Sequence, residues 1–246
     1  MTATPAAAAD LAPKTTTSSS AITGMWAWGN PIDPAVDARG EGDPEFAPKA
    51  LAAFASAHKL KTVYLSVPWA ADEGPFSSWL KAAITALHKA GVKTVAALGG
   101  DPAWADQPDL AATWTRSALA AAPFDAIQFD VEPWVGAEES ELPGIADKLD
   151  SVAIVASVDH ARGDDGILAL AGPAARAASA AAVPFSVGVE TDTPEVAGGP
   201  SATFGDDSAS LLESETAIVR STFSKLPGYG GVTVEHLLSW QKLIAQ

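Results

Sequence analysis

A barrel of parallel strands wrapped by helices is the fold that the sequence predicts, and three observations predict it. Seven short runs rich in β-branched and apolar residues alternate with alanine-rich stretches in which Leu, Ile, Val and Ala recur at three- and four-residue spacing. The 246 residues are 48% hydrophobic, enough for one sizeable core. Strand–helix–strand crossovers of this length close most often as a (β/α)8-type TIM barrel. Only seven strands are visible, so the α/β barrel is either incomplete or seven-stranded, and a doubly wound open sheet is the alternative.

Taken in order, the strands are expected at GMWAWG (24–29), KTVYLSV (61–67), VKTVAAL (92–98), AIQFDVE (126–132), SVAIVAS (151–157), FSVGVE (185–190) and GVTVEH (231–236). Helices fit at about 45–59, 75–90, 107–121, 139–149, 166–181 and 208–225. Residues 1–21, an Ala/Thr/Ser/Pro-rich opening, carry too little bulky apolar surface to offset the entropy of ordering them, and read as a flexible tail. A single domain then spans 22–246.

Charge and composition exclude several classes of function. With 30 acidic against 15 basic residues, a net charge of −15 and a pI near 4.5, the chain would be repelled by a nucleic-acid backbone or an anionic membrane surface. No apolar run reaches the roughly 18–20 residues of a membrane span. There is no cysteine, and His58, His88, His160 and His236 show no ligand spacing. The rim acids could offer oxygen ligands to Mg2+ or Ca2+, but no histidine stands beside them for zinc, and no metal site is assigned. No cofactor is implied either: LGGDP lacks the Gly-Lys-Ser/Thr ending of a phosphate loop, and no G-x-G-x-x-G opens a helix after a strand. The first segment is not a recognisable signal peptide, while tails of its composition are common in exported proteins; the compartment stays open, leaning towards a secreted or cell-surface one. A monomer is expected.

The acids at the strand ends carry the chemistry. Residues two apart on a strand point the same way, so Gln128, Asp130 and Glu132 share one face while Ile127, Phe129 and Val131 share the other. Two carboxylates turned towards a barrel axis cost several kcal/mol unless they meet cations or do work. Lys61, Lys93 and Arg162 are the cations placed to reach them. Neighbouring acids also push their pKa values apart, which leaves one protonated near neutral pH and able to act as a general acid. Glu190 ends a late strand and would reach the same rim; it either pairs with Glu132 as nucleophile or base, or caps its own loop. Glu235 closes the last strand, followed by His236 as a helix-start residue.

Aromatics frame that rim. Trp26, Trp28, Trp69, Trp104 and Trp134 fall at or just beyond strand ends, where an indole can stack on the C–H face of a sugar ring. Trp26 is expected to pack instead, and Trp79, Trp114 and Trp240 sit in helical stretches as core. Asp101, after two glycines, either hydrogen-bonds a substrate or caps the next turn.

DAIQFDVE (125–132) resembles the fourth-strand motif of the family 18 glycoside hydrolases (chitinase-like), D-G-x-D-x-D-x-E, with Ala126 and Gln128 at two of its positions. The resemblance implies that Glu132 is the proton donor and that Asp130 orients a substrate acetamide. More broadly, LGGDPAWA (98–105), FDVEPW (129–134), VGVETDTPE (187–195), ATFGDD (202–207) and GVTVEHLLSWQKL (231–243) resemble an uncharacterised bacterial glycoside-hydrolase-like TIM-barrel family. That likeness implies a glycosidase acting on a polysaccharide or glycan, with Glu132, Asp130 and Glu190 as catalytic residues. Trp28, Trp69, Asp101, Trp104, Gln128, Trp134 and Glu235 would then grip the carbohydrate substrate. A sugar-binding barrel without turnover and a metal-dependent hydrolase are the alternatives, and the charge favours a neutral or cationic glycan.

Overall fold

The computed structural model describes residues 21–104, 107–130 and 148–246. Strand β1 (Gly24–Ala27) leads to helix α1 (Pro48–Ala57), β2 (Thr62–Ser66) to α2 (Phe76–Lys89), and β3 (Thr94–Gly99) to α3 (Pro108–Ala121). Strand β4 (Ala126–Phe129) ends the first half. The second half comprises β5 (Val152–Val155), α4 (Ile167–Ala180), β6 (Phe185–Glu190), the one-turn α5 (Pro194–Ala197), α6 (Ala209–Phe223), β7 (Tyr229–Glu235) and α7 (Leu237–Ile244). All seven expected strands are present, with ends moved by up to three residues. The helix expected at 139–149 and the tail at 1–21 lie almost wholly outside the described residues, as does the end of the strand expected at 126–132.

The sheet runs β4-β3-β2-β1-β7-β6-β5, every pairing is parallel, and it curls into a half-barrel with helices alternating between its strands. First and last strands are hydrogen-bonded neighbours, with Gly24 beside Thr233 and Met25 beside Val234. A doubly wound sheet reverses its order beside β1, as in 3-2-1-4-5-6, whereas here the last strand, β7, stands beside β1, so that alternative is overturned. Neighbours in sequence are neighbours in space around the whole curl except at one seam, between β4 and β5, where no pairing joins the described residues.

Period-two alternation sorts each strand into two faces. Met25, Val63, Leu65, Val95, Ala97, Val187, Val189, Val232 and Val234 turn outwards and form the core with the helices, together with Leu51, Leu80, Leu87, Trp114 and Leu212. Each such buried side chain contributes about 1.5–3 kcal/mol of transfer free energy. Across the helical layer, Trp79 donates to the Phe46 carbonyl (2.9 Å) and Trp114 to the Val67 carbonyl (2.9 Å), so the two indoles bury no unpaired N–H. Turned the other way are Trp26, Tyr64, Ala96, Gln128, Gly188, Thr233 and Glu235, a set of mostly small or polar side chains on the concave face. Among the described residues no helix is long and apolar enough to cross a membrane.

Candidate functional site

Because the concave face is lined by small residues, it encloses space. A cavity of about 1060 Å³ is bounded by Trp26, Trp28, Tyr64, Gln128, Asp130 and Glu235, with β5 residues such as Val155 and Ser157 along the seam. Its floor is an aromatic pair: Trp26 and Tyr64 occupy the same register of β1 and β2 and stack with centroids 5.3 Å apart. Gly188 makes this possible, since a Cβ there would stand 2.9 Å from the Trp26 ring. The Trp26 indole N–H donates to Gln128 Oε1 (3.3 Å), which fixes the amide across the face of the sheet.

Three carboxylates converge at the C-terminal ends of β4, β6 and β7. Glu190 and Glu235 are register partners on adjacent strands, so their Cα atoms are about 4.8 Å apart. Glu235 Oε1 accepts the Trp28 indole N–H (3.2 Å). Burial, followed by repulsion from Glu190 and then from Asp130, pushes the Glu235 carboxyl up to about 7. Burial also moves Glu190 and Asp130 upwards. Lys61, Lys93 and Arg162 do not answer these charges: no ion pair among the described residues joins them to the three acids.

The β6–β7 end of the site is tightly built. Glu190 Oε1 accepts the backbone N–H groups of Thr191 (2.7 Å) and Asp192 (2.6 Å). Thr191, fully buried, donates its own N–H (2.7 Å) and its hydroxyl (2.5 Å) to the Glu235 carbonyl, and its hydroxyl also meets Ser239 Oγ at 2.8 Å. His236 starts α7: its Nδ1 accepts the Leu238 N–H, which leaves the proton on Nε2, facing Asp192 Oδ1 at 3.2 Å. That hydrogen bond holds the Asp192 carboxyl below the usual range. The expectation that His236 begins a helix is thereby met, and Glu190 both reaches the rim and caps its own loop.

The remaining expected site residues fall elsewhere. Trp104 is buried in an aromatic cluster with Trp69, Trp114 and Phe129, at centroid distances of 5.3–5.9 Å, and does not line the cavity. It packs against Trp114 and against Phe129, on the outward face of β4. Trp69 is 41% exposed and edge-on to Trp104, on a segment whose carbonyl Arg39 holds at 2.6 Å, and it too stands away from the cavity. Asp101 accepts the Ala103 N–H (2.8 Å) as a turn cap. Glu132 and Trp134 lie outside the described residues. Asp125, which opens the DAIQFDVE stretch, accepts the Val95 N–H (2.7 Å) at the opposite end of the strand and ties β4 to β3 there.

Sequence reasoning missed Tyr64 as part of the cavity and assigned Trp26 to packing alone. Both were legible in the alternation, since each sits two residues from other inward-facing positions of its strand. Thr191 and Ser239 carried no such signal, because a Thr and a Ser in a loop and a helix gain meaning only when the fold brings them together. Among the described residues no group of three His, Asp or Glu side chains is arranged to hold a metal ion. Comparison of the chain with protein-family models, with curated proteins and with solved structures found no match.

Proposed function

We infer that this protein is a glycoside hydrolase-like enzyme built on an incomplete TIM-like barrel and acting on a polysaccharide or glycan. The observation that carries the reading is Glu235, a partly buried carboxyl pushed up to about 7, which lines a cavity walled by indoles together with Asp130 and has Glu190 beside it on β6. A protonated acid next to an ionised one is the elementary requirement of glycosidic cleavage. In this reading Glu235 gives its proton to the glycosidic oxygen as the bond to the anomeric carbon breaks. Asp130 stabilises the positive charge that develops there, and Glu190, one oxygen of which is already taken by backbone amides, orients the pair or activates the incoming water. Glu132, which the resemblance implies as proton donor, is the competing candidate for Glu235's role.

Reducing-end release from a panel of neutral, N-acetylated and amino-sugar polymers tests this reading, with wild type, Glu235→Gln and Glu132→Gln run side by side. Loss of a general acid lowers the rate by roughly 10²–10⁴-fold. A loss of that size in Glu235→Gln supports the assignment, and the same loss confined to Glu132→Gln moves the proton to that residue. Turnover unaffected by either substitution sinks the reading. A sugar-binding barrel without turnover is the second reading, favoured by one observation: Gln128 is committed to Trp26 and Glu190 Oε1 to two amides, which leaves fewer groups free for chemistry.

A further inference from the structure

The cavity walls are chemically one-sided. Its aromatic surfaces, Trp26, Trp28 and Tyr64, are accompanied by Asp130 and Glu235 at one end, and no Lys, Arg or His stands among the described residues that line it. Glu190 adds a third carboxylate behind Glu235. An indole face and a carboxylate are the two groups that recognise an ammonium ion, through the ring quadrupole and through charge-assisted hydrogen bonds. The low dielectric of a partly closed cavity strengthens both. A neutral sugar would bring no counter-charge to these acids, and an anionic one would add to their repulsion.

We propose that the cavity binds a glycan bearing free amino groups, its ammonium nitrogen held at Asp130 and its ring against Trp28. This rests on the cavity being the glycan site. A cationic ligand also arrives faster, because the net charge of −15 attracts it over a Debye length of about 8–10 Å.

Binding is read from tryptophan fluorescence of the full chain, titrated with oligosaccharides of one linkage and one length built from glucosamine, N-acetylglucosamine or glucose, and with an oligolysine of equal charge. The glucosamine oligomer is expected to bind at least about tenfold more tightly than the other two sugars, a margin that corresponds to about 1.4 kcal/mol. That margin should shrink with added salt and in Asp130→Asn, while Trp69→Phe, away from the cavity, leaves it unchanged. Equal or tighter binding of the N-acetylated or glucose oligomer overturns the proposal, as does oligolysine binding as well as the amino sugar. Turnover measured on the same ligands separates the two readings. Cleavage of a neutral oligomer that depends on Glu235 keeps the enzyme and discards the amine preference. Amine preference without any cleavage keeps the preference and discards the enzyme.

Discussion

The two flanks of the acid rim are built differently. On the β6–β7 side, Glu190 and Glu235 are held by Thr191, Ser239, His236 and Asp192, a network of buried hydroxyls, a histidine and backbone amides. On the β3–β4 side, Asp130 extends β4, tied by its own N–H to the Gly99 carbonyl (2.9 Å), and the packed aromatics Trp104, Trp114 and Phe129 lie on the other face of that strand. Gly100 lets this edge sit close, since a Cβ there would stand 2.3 Å from the Asp130 carbonyl oxygen. Among the described residues, one flank fixes its acids by hydrogen bonds in the sheet interior, and the other positions its acid by main-chain register. The difference teaches which carboxyl can be tuned: the one most withdrawn from water and set beside other acids takes the large pKa shift.

The largest effect should come from discharging the tuned group. Glu235 has a folded value near 7, above its ordinary 4.5, so the stability contributed by its protonated form is fully present below about 4.5 and lost as pH rises through about 7. Glu235→Gln removes that loss. Thermal melts should show the variant more stable than wild type by about 2–3 kcal/mol above neutral pH and nearly equal to it in the ordinary carboxylate range. Parallel melting curves at both pH values would contradict the burial argument.

Thr191→Val attacks the network itself. It deletes a buried hydroxyl that makes two hydrogen bonds, to the Glu235 carbonyl and to Ser239, so denaturant unfolding should report a loss of about 1–3 kcal/mol. Thr191→Ser should recover most of it. A variant as stable as wild type would mean that water replaces the hydroxyl and that this flank is softer than described.

Gly188→Ala sharpens the comparison from the cavity floor. The added methyl meets the Trp26 ring at 2.9 Å, so the indole must turn or the strand must yield, at a cost of about 1–3 kcal/mol and with a changed tryptophan emission. Unchanged emission and stability would show that the Trp26–Tyr64 stack is not wedged by β6.

Asp101→Ala, on the loosely held flank, should do least. It removes a single turn cap, worth about 1 kcal/mol or less, and should leave sugar affinity where it was. A fall in affinity comparable to that of Asp130→Asn would restore Asp101 to the binding site.

The sequence by itself determined which residues form strands and which way each strand faces, because a period of two is local and the covering helices select the apolar set. It therefore placed Gln128 and Asp130 on the concave side and put Glu190 and Glu235 at strand ends. Tertiary structure alone decided which strand ends meet. Pairing of β1 with β7 curls the sheet and sets Glu235 beside Glu190 and across from Asp130, and the raised value of Glu235 follows from that convergence and its burial. The same curl turned Trp104 from an expected sugar platform into a packing residue under Phe129, since an indole just past a strand end has the same local sequence whether it faces the cavity or the layer behind it. Periodicity is written in neighbours along the chain; electrostatics and burial depend on neighbours across it, which only the strand pairings supply.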